Sequence, residues 1–244
     1  MSLFGQGRSF MEALTPQDRA TLLALGMPRT YGSGEIMLRE RDTTTFVLLL
    51  RSGWSVVSVD TERGTRLILA LRGAGEVVGD LAAFDQGPRS ATVTALGQVE
   101  AVLVSGGRFR GFLAAHPHAT ALIMRQLSAR LRSADVERRS LASESVLRRL
   151  AARIVELVER TGRKSGEGDA MVIELPLPQH DLAAAIGATR EAVAKALRFL
   201  RDQGVVRTAQ RRLTVTDMEV LTLLAEGRER PPRAGPPEKF PPGV

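Results

Sequence analysis

The stretch PQHDLAAAIGATREAVAKALRFLRDQ, residues 178–203, decides how this chain is read. Leu182, Ala185 and Ile186 form the apolar face of one helix, Gly187 permits a left-handed turn, and Val193, Leu197 and Leu200 form the inward face of a second helix. Thr189 is placed to cap that second helix, with Ala192 where an acid would close a capping box, so the cap is half formed. Arg190, Glu191, Ala194, Lys195 and Arg198 are left on the opposite face. An amphipathic helix pair with a solvated charged face explains each feature singly. Their joint occurrence predicts a helix-turn-helix.

In that motif the second helix enters the major groove of double-stranded DNA, where an arginine bonds two acceptors of guanine and a glutamate accepts from cytosine. Arg190 and Glu191 suit those tasks, and Lys195 and Arg198 reach phosphate or base edges further along the groove. Gln179 and His180 begin the first helix, whose amino end is suited to backbone phosphates. Residues 204–207 and 213–215 read as a two-stranded wing, with Gln210, Arg211 and Arg212 at its tip against the sugar-phosphate backbone.

The composition agrees with this and excludes other chemistries. A net charge of +7 and a pI near 10.9 favour a polyanionic partner, although arginine-rich composition also occurs in proteins that bind no nucleic acid. With no cysteine there is no disulfide, thiolate metal site, iron–sulfur cluster or cysteine nucleophile. His116, Pro117 and His118 read as an exposed turn rather than a metal or haem site. No nucleophile with a histidine partner and no metal cluster is legible, so an enzyme is not expected. No run approaches the roughly 20 apolar residues of a membrane helix, and the first residues lack the order of a signal peptide. The expectation is a cytoplasmic protein with no membrane partner.

At 244 residues the chain has room for two domains. Residues 9–25 read as two short helices, the second opened by Thr15 and Pro16. From about residue 31 to 104 the texture changes to short β-rich runs (46–50, 54–59, 66–71, 91–96, 99–104) with turn signals at 32–34, 52–53, 63–64, 73–75 and 87–88, which predicts a barrel or sandwich. A long helical pattern follows. Ile123, Leu127, Leu131, Ala134 and Leu141 form one apolar stripe, fit either for packing on the chain's own barrel or for pairing with a second copy, and its unbroken length favours pairing. A further helix covers about 144–161, and residues 162–169 read as a polar turn. The expected organisation is α+β: a β-rich domain with its leading helices over 1–118, a dimerisation helix and hinge over 119–143, a winged helix-turn-helix over 144–226, and a disordered proline-rich tail over 227–244.

Gly79-Asp80-Leu81 with Phe84, then Gly87-Pro88-Arg89-Ser90-Ala91, followed much later by Thr189-Arg190-Glu191, carry a resemblance. Over about residues 14–224 the chain resembles the Crp/Fnr family of regulators. The resemblance implies a double-stranded β-helix of jelly-roll type as effector domain, a long dimerisation helix and a carboxy-terminal winged helix-turn-helix. It implies a homodimer acting on a palindromic operator and on RNA polymerase. In cyclic-AMP-binding relatives the first segment is a phosphate-binding cassette. Carried over, Gly79, Leu81 and Ser90 offer backbone or hydroxyl contacts, Arg89 the charge, and Asp80 the acceptor for a ribose hydroxyl. The base-contacting positions fall on Ala134 and Asp135, or on Ser133 if the alignment slips by one. The effector so implied is a cyclic nucleotide, cyclic AMP or cyclic GMP. Two departures stand out: Asp80 is one methylene shorter than the glutamate of cyclic-AMP binders, and Arg41 stands where glycine is usual. Cyclic AMP itself is therefore expected to bind weakly or not at all. Two other readings remain: an effector-binding module acting through protein contacts, and an effector-independent regulator with a vestigial pocket.

Overall fold

The computed structural model describes all residues except 1–2, 5–6, 62–65, 167–168, 174–178, 210–211 and 229–244, with the backbone alone at Gln179 and His180. The chain opens with two capped helices, α1 (Phe10–Ala13) and α2 (Pro16–Ala24). Ser9 and Glu12 form a reciprocal capping box on α1, and Thr15 caps α2 with proline at its first turn.

The strands β1 (Met27–Tyr31), β2 (Ile36–Leu38), β3 (Val47–Ser52), β4 (Ser55–Asp60), β5 (Arg66–Arg72) and β6 (Val77–Val78) follow. After the short helix α3 (Asp80–Asp85) come β7 (Thr92–Ala95) and β8 (Val99–Val104). They form two four-stranded antiparallel sheets, ordered β1-β8-β3-β6 and β2-β7-β4-β5. Strand alternation sorts the side chains. Leu48 and Leu50 face the barrel interior with Met37, Val93 and Ala101, while Val47 and Leu49 face outward onto Phe10, Phe109 and Ile123 of the covering helices. The barrel is therefore lined on both sides of β3, which is why residues 47–50 are an unbroken apolar run.

Helix α4 (Gly106–Ala115) stops at His116 because Pro117 has no N–H to continue it, and the same proline opens α5 (Pro117–Ser143). The apolar stripe of α5 divides. Ile123 and Leu127 pack on the barrel's own core, whereas Leu131 and Leu141 are exposed, together with Met124 and Val136.

Glu144 ends α5 and Ser145 caps α6 (Val146–Thr161). The rest of the chain comprises β9 (Gly162–Lys164), β10 (Met171–Ile173), α7 (Gln179–Ala185), α8 (Arg190–Asp202), β11 (Val206–Ala209), β12 (Arg212–Val215) and α9 (Met218–Glu226). Their sheet order is β11-β12-β10-β9. The segment 162–169, expected to be a polar turn, thus opens with a strand: β9 pairs with β10 just beyond it, and β10 also pairs with β12, a partner forty or more residues away. Arg212 belongs to β12, opposite Ala209, rather than to the wing tip. Gln210, Arg211 and the tail from residue 229 lie outside the described residues.

The joint between the two halves is packed. Val56, Ile68 and Leu71 of the barrel share one core with Leu150, Ile154 and Leu157 of α6 and with Leu182 and Ile186 of the helix-turn-helix. No helix among the described residues is long and apolar enough to cross a membrane.

Candidate functional site

Helix α8 has a sharp division of faces. Val193, Ala196, Leu197 and Leu200 are buried, and Arg190, Glu191, Lys195 and Arg198 are exposed. The Thr189 hydroxyl accepts from the Ala192 N–H at 3.2 Å, which fixes the start of the helix. Hydrogen bonding within its own turn and to Thr189 holds the Glu191 carboxyl below the usual carboxylate range, so it remains an acceptor. Gly187 takes φ +57°, and a Cβ there would stand 2.8 Å from Leu141 Cδ2, so the turn needs glycine both for its conformation and for the approach of α5. From beneath, Arg149 donates to the Ile186 carbonyl at 3.1 Å and Arg153 to the Ala185 carbonyl at 3.1 Å, filling acceptors that the end of α7 leaves open. Arg153 also pairs with Glu156 at 2.6 Å and lies 3.8 Å from Glu137 of α5.

A cavity of about 550 Å³ lies between the barrel and α5. Gly79, Asp80, Leu81, Arg89 and Ser90 all line it. Arg89 is 3% exposed and each of its three nitrogens donates one bond within the chain: Nη2 to the Phe46 carbonyl at 2.6 Å, Nη1 to the Gly79 carbonyl at 2.9 Å and Nε to Thr44 Oγ1 at 3.2 Å, with the guanidinium over the Phe46 ring. Burial lowers its pKa, and Asp42 and Asp80 oppose that shift. Gly79 takes φ +83°, and a Cβ on it would stand 2.6 Å from Arg89 Nη1, so the two residues are fitted to each other. Asp80 is buried and accepts from Arg130 of α5 at 2.7 Å. Arg41, where a glycine was expected, takes φ +69°, the left-handed conformation that costs any residue with a Cβ.

The wall contributed by α5 consists of Gln126, Ala129, Arg130, Ser133, Ala134 and Glu137, spaced three and four apart along one helical face. Asp135 is not among them. One residue beyond Ala134 turns the side chain about 100° away, and Asp135 is exposed and paired with Arg138 at 3.6 Å. Within this chain Asp135 thus lies off the cavity wall, and Ser133, the one-position alternative, lies on it. Sequence reasoning missed Gln126, Arg130 and Glu137, although counting three, four, seven and eight residues back from Ala134 recovers the first two. It also missed Trp54, Arg72 and Glu76, which reach the cavity only through barrel closure. Arg72 pairs with Glu76 at 3.5 Å; burial lowers its pKa, with Glu76 opposing. Burial raises the pKa of Glu137, with Arg153 pulling it back. His116 Nδ1 lies 2.8 Å from the Phe112 carbonyl and Nε2 lies 3.5 Å from Asp18, so the ring closes the end of α4. Among the described residues no group of three or more His, Asp or Glu is arranged to hold a metal ion.

Comparison with known proteins follows these two regions. The family described as cyclic nucleotide-binding domain matches residues 28–116, and that described as Crp-like helix-turn-helix domain matches residues 148–224. A CRP-like cAMP-activated global transcriptional regulator of Mycobacterium tuberculosis is 27% identical over 210 residues, covering 86% of this chain and 93% of its own length. The cyclic AMP receptor protein of Thermus thermophilus is 27% identical over 222 residues, covering 91% of this chain and 99% of its own. The solved structure of a CooA mutant from Carboxydothermus hydrogenoformans has the same fold, with a TM-score of 0.72 at 20% identity, over 91% of this chain and 97% of that one. With a nucleotide-type barrel, a long central helix and a winged helix-turn-helix in that order, the chain belongs to the Crp/Fnr family of DNA-binding transcription regulators.

Proposed function

We propose that this regulator acts as a homodimer on a near-palindromic operator, reading bases with Arg190 and Glu191 and gripping further along the groove with Lys195 and Arg198. The observation that carries this reading is the face of α8, where all four side chains are exposed opposite an apolar buried side. Thr189 fixes the start of that helix. The amino end of α7, at Gln179 and His180, meets backbone phosphate, and Arg212 of the wing meets the flanking backbone; Arg211, assigned the same task from sequence, lies outside the described residues. The exposed part of the α5 stripe (Leu131 and Leu141), with Met124 exposed one heptad before Leu131, supports pairing between two copies. RNA polymerase is the downstream partner.

The cavity takes a small effector with an anionic group at Gly79, Leu81, Arg89 and Ser90 and its ring system towards Ser133 and Ala134. A purine cyclic nucleotide, cyclic AMP or cyclic GMP, fits that class, and the names of the bacterial relatives favour it. Cyclic AMP is held weakly here, since Asp80 is short and already engaged by Arg130.

Selection of bound sites from genomic fragments, with and without each nucleotide, followed by mobility-shift titration, tests the reading. Arg190→Ala is expected to cost about 1–3 kcal/mol at one guanine while leaving scrambled sites unaffected. A monomer in sedimentation that ignores every duplex at low salt overturns the proposal. Submicromolar cyclic AMP binding by calorimetry overturns the statement on cyclic AMP.

A further inference from the structure

The described side chains of helix α7 are all covered. Asp181, Leu182, Ala183, Ala184 and Ala185, with Ile186 after them, are all buried, whereas a helix resting on one neighbour keeps an outward stripe in solvent. One wall is α8 of its own domain, and the other is β5 of the barrel. Arg66 of β5 pairs with Asp181 in the first turn of α7 at 3.3 Å. The first helix of a helix-turn-helix crosses the DNA backbone when the second lies in the groove, so a barrel strand laid over α7 takes up space that the duplex needs.

The chain's own start fills the crevice beside this contact. Leu3 and Phe4 are buried in the core that joins the barrel to α6. The Leu3 carbonyl accepts from the Leu71 N–H at 2.8 Å, and the Phe4 N–H donates to Glu156 of α6 at 3.3 Å. The Phe4 ring meets Trp54 edge-on at 5.3 Å on the barrel side and lies under Arg160 of α6, 5.9 Å from the guanidinium. Leu3 is thus anchored to β5 and Phe4 reaches both halves.

We propose that Leu3 and Phe4 form a built-in clip which, with the Arg66–Asp181 pair, holds the helix-turn-helix docked on the barrel in a posture that excludes DNA. This inference rests on the reading of α7 and α8 as the DNA-facing pair. Phe4 and Arg160 also line the cavity that holds the cassette, so the clip stands between the effector region and α6.

The test compares three full-length proteins: the natural chain, the double variant Leu3→Ala/Phe4→Ala, and Arg66→Ser. Trp54 is the only tryptophan, so its emission reports the crevice directly. The double variant is expected to shift that emission to longer wavelength with an unchanged far-ultraviolet dichroism spectrum. Both variants are expected to bind an operator fragment about tenfold more tightly than the natural chain, a gain of about 1.4 kcal/mol. Arg66→Ser leaves the apolar crevice intact and so separates undocking from loss of core. Unchanged or weaker DNA affinity in both variants, with the natural chain binding normally, overturns the clip alone. If none of the three binds any duplex, the DNA reading falls and the clip's gating role falls with it. If Trp54 emission is insensitive to the double variant, the clip is not seated in solution.

Discussion

Gly187 is where the central helix touches the DNA-reading pair, and Gly187→Ala is the perturbation that measures the contact. Two costs arise. An alanine held at φ +57° loses about 1 kcal/mol to left-handed strain. Its Cβ would stand 2.8 Å from Leu141 Cδ2, and since Leu141 is partly exposed its side chain yields by leaving its preferred rotamer, at about 1 kcal/mol. Alanine also restricts the unfolded chain, which returns about 0.5 kcal/mol. The net expectation is a loss of about 1.5 kcal/mol, followed by urea unfolding with far-ultraviolet dichroism. In a Leu141→Ala background the steric part disappears, and the same substitution should cost only about 0.5 kcal/mol. Equal costs in the two backgrounds would refute the seating of Leu141 on the turn. No cost in either would refute the left-handed backbone.

Arg153→Ala should destabilise by about 3–5 kcal/mol in thermal unfolding, because it leaves Glu156 and the Ala185 carbonyl without their buried cation; Arg153→Met combined with Glu156→Gln should recover at least half by removing both charges together. The Glu137 carboxyl has its pKa raised above 4.5 by burial, against the pull of Arg153 and with Glu156 nearby. A raised acid binds its proton more tightly in the folded state, so its contribution is full below pH 4.5 and is lost as pH climbs through the raised value. Glu137→Gln should therefore gain in melting temperature on the natural chain between about pH 4 and about pH 7, and the opposite trend would refute the assignment.

The elements legible in the sequence are those whose signal is local. Val193, Leu197 and Leu200 repeat with helical period, and Thr189 caps them, so α8 stands where residues 178–203 place it. The runs that became β3, β4, β5, β7 and β8 are apolar and bounded by turns. Strand β1 is mostly exposed and contains Pro28, and β9 is Gly-Arg-Lys; neither carries an apolar alternation, and each is a strand only because a partner supplies its hydrogen bonds, β8 far along the chain for β1 and the nearby β10 for β9. The cassette was readable as a motif. The α5 wall was readable only to within one residue, which on a helix is a quarter-turn and separates Ser133 and Ala134 from Asp135. The burial of Leu3 and Phe4 depends on two domains meeting, and nothing in their neighbours announces it.

Arg89 satisfies itself on main-chain carbonyls, and that has a bearing on the history of such a pocket. A cation left bare by a missing guest would penalise the empty protein and tie survival of the fold to supply of a metabolite. Here each Arg89 nitrogen has an acceptor within the chain, so the barrel holds its cation by its own bonds and a lineage is free to change its messenger without losing its barrel. Persistence of the Gly79 and Arg89 pair in descendants is then testimony about architecture, and the question of which signal is heard must be asked of the residues that Arg89 does not hold.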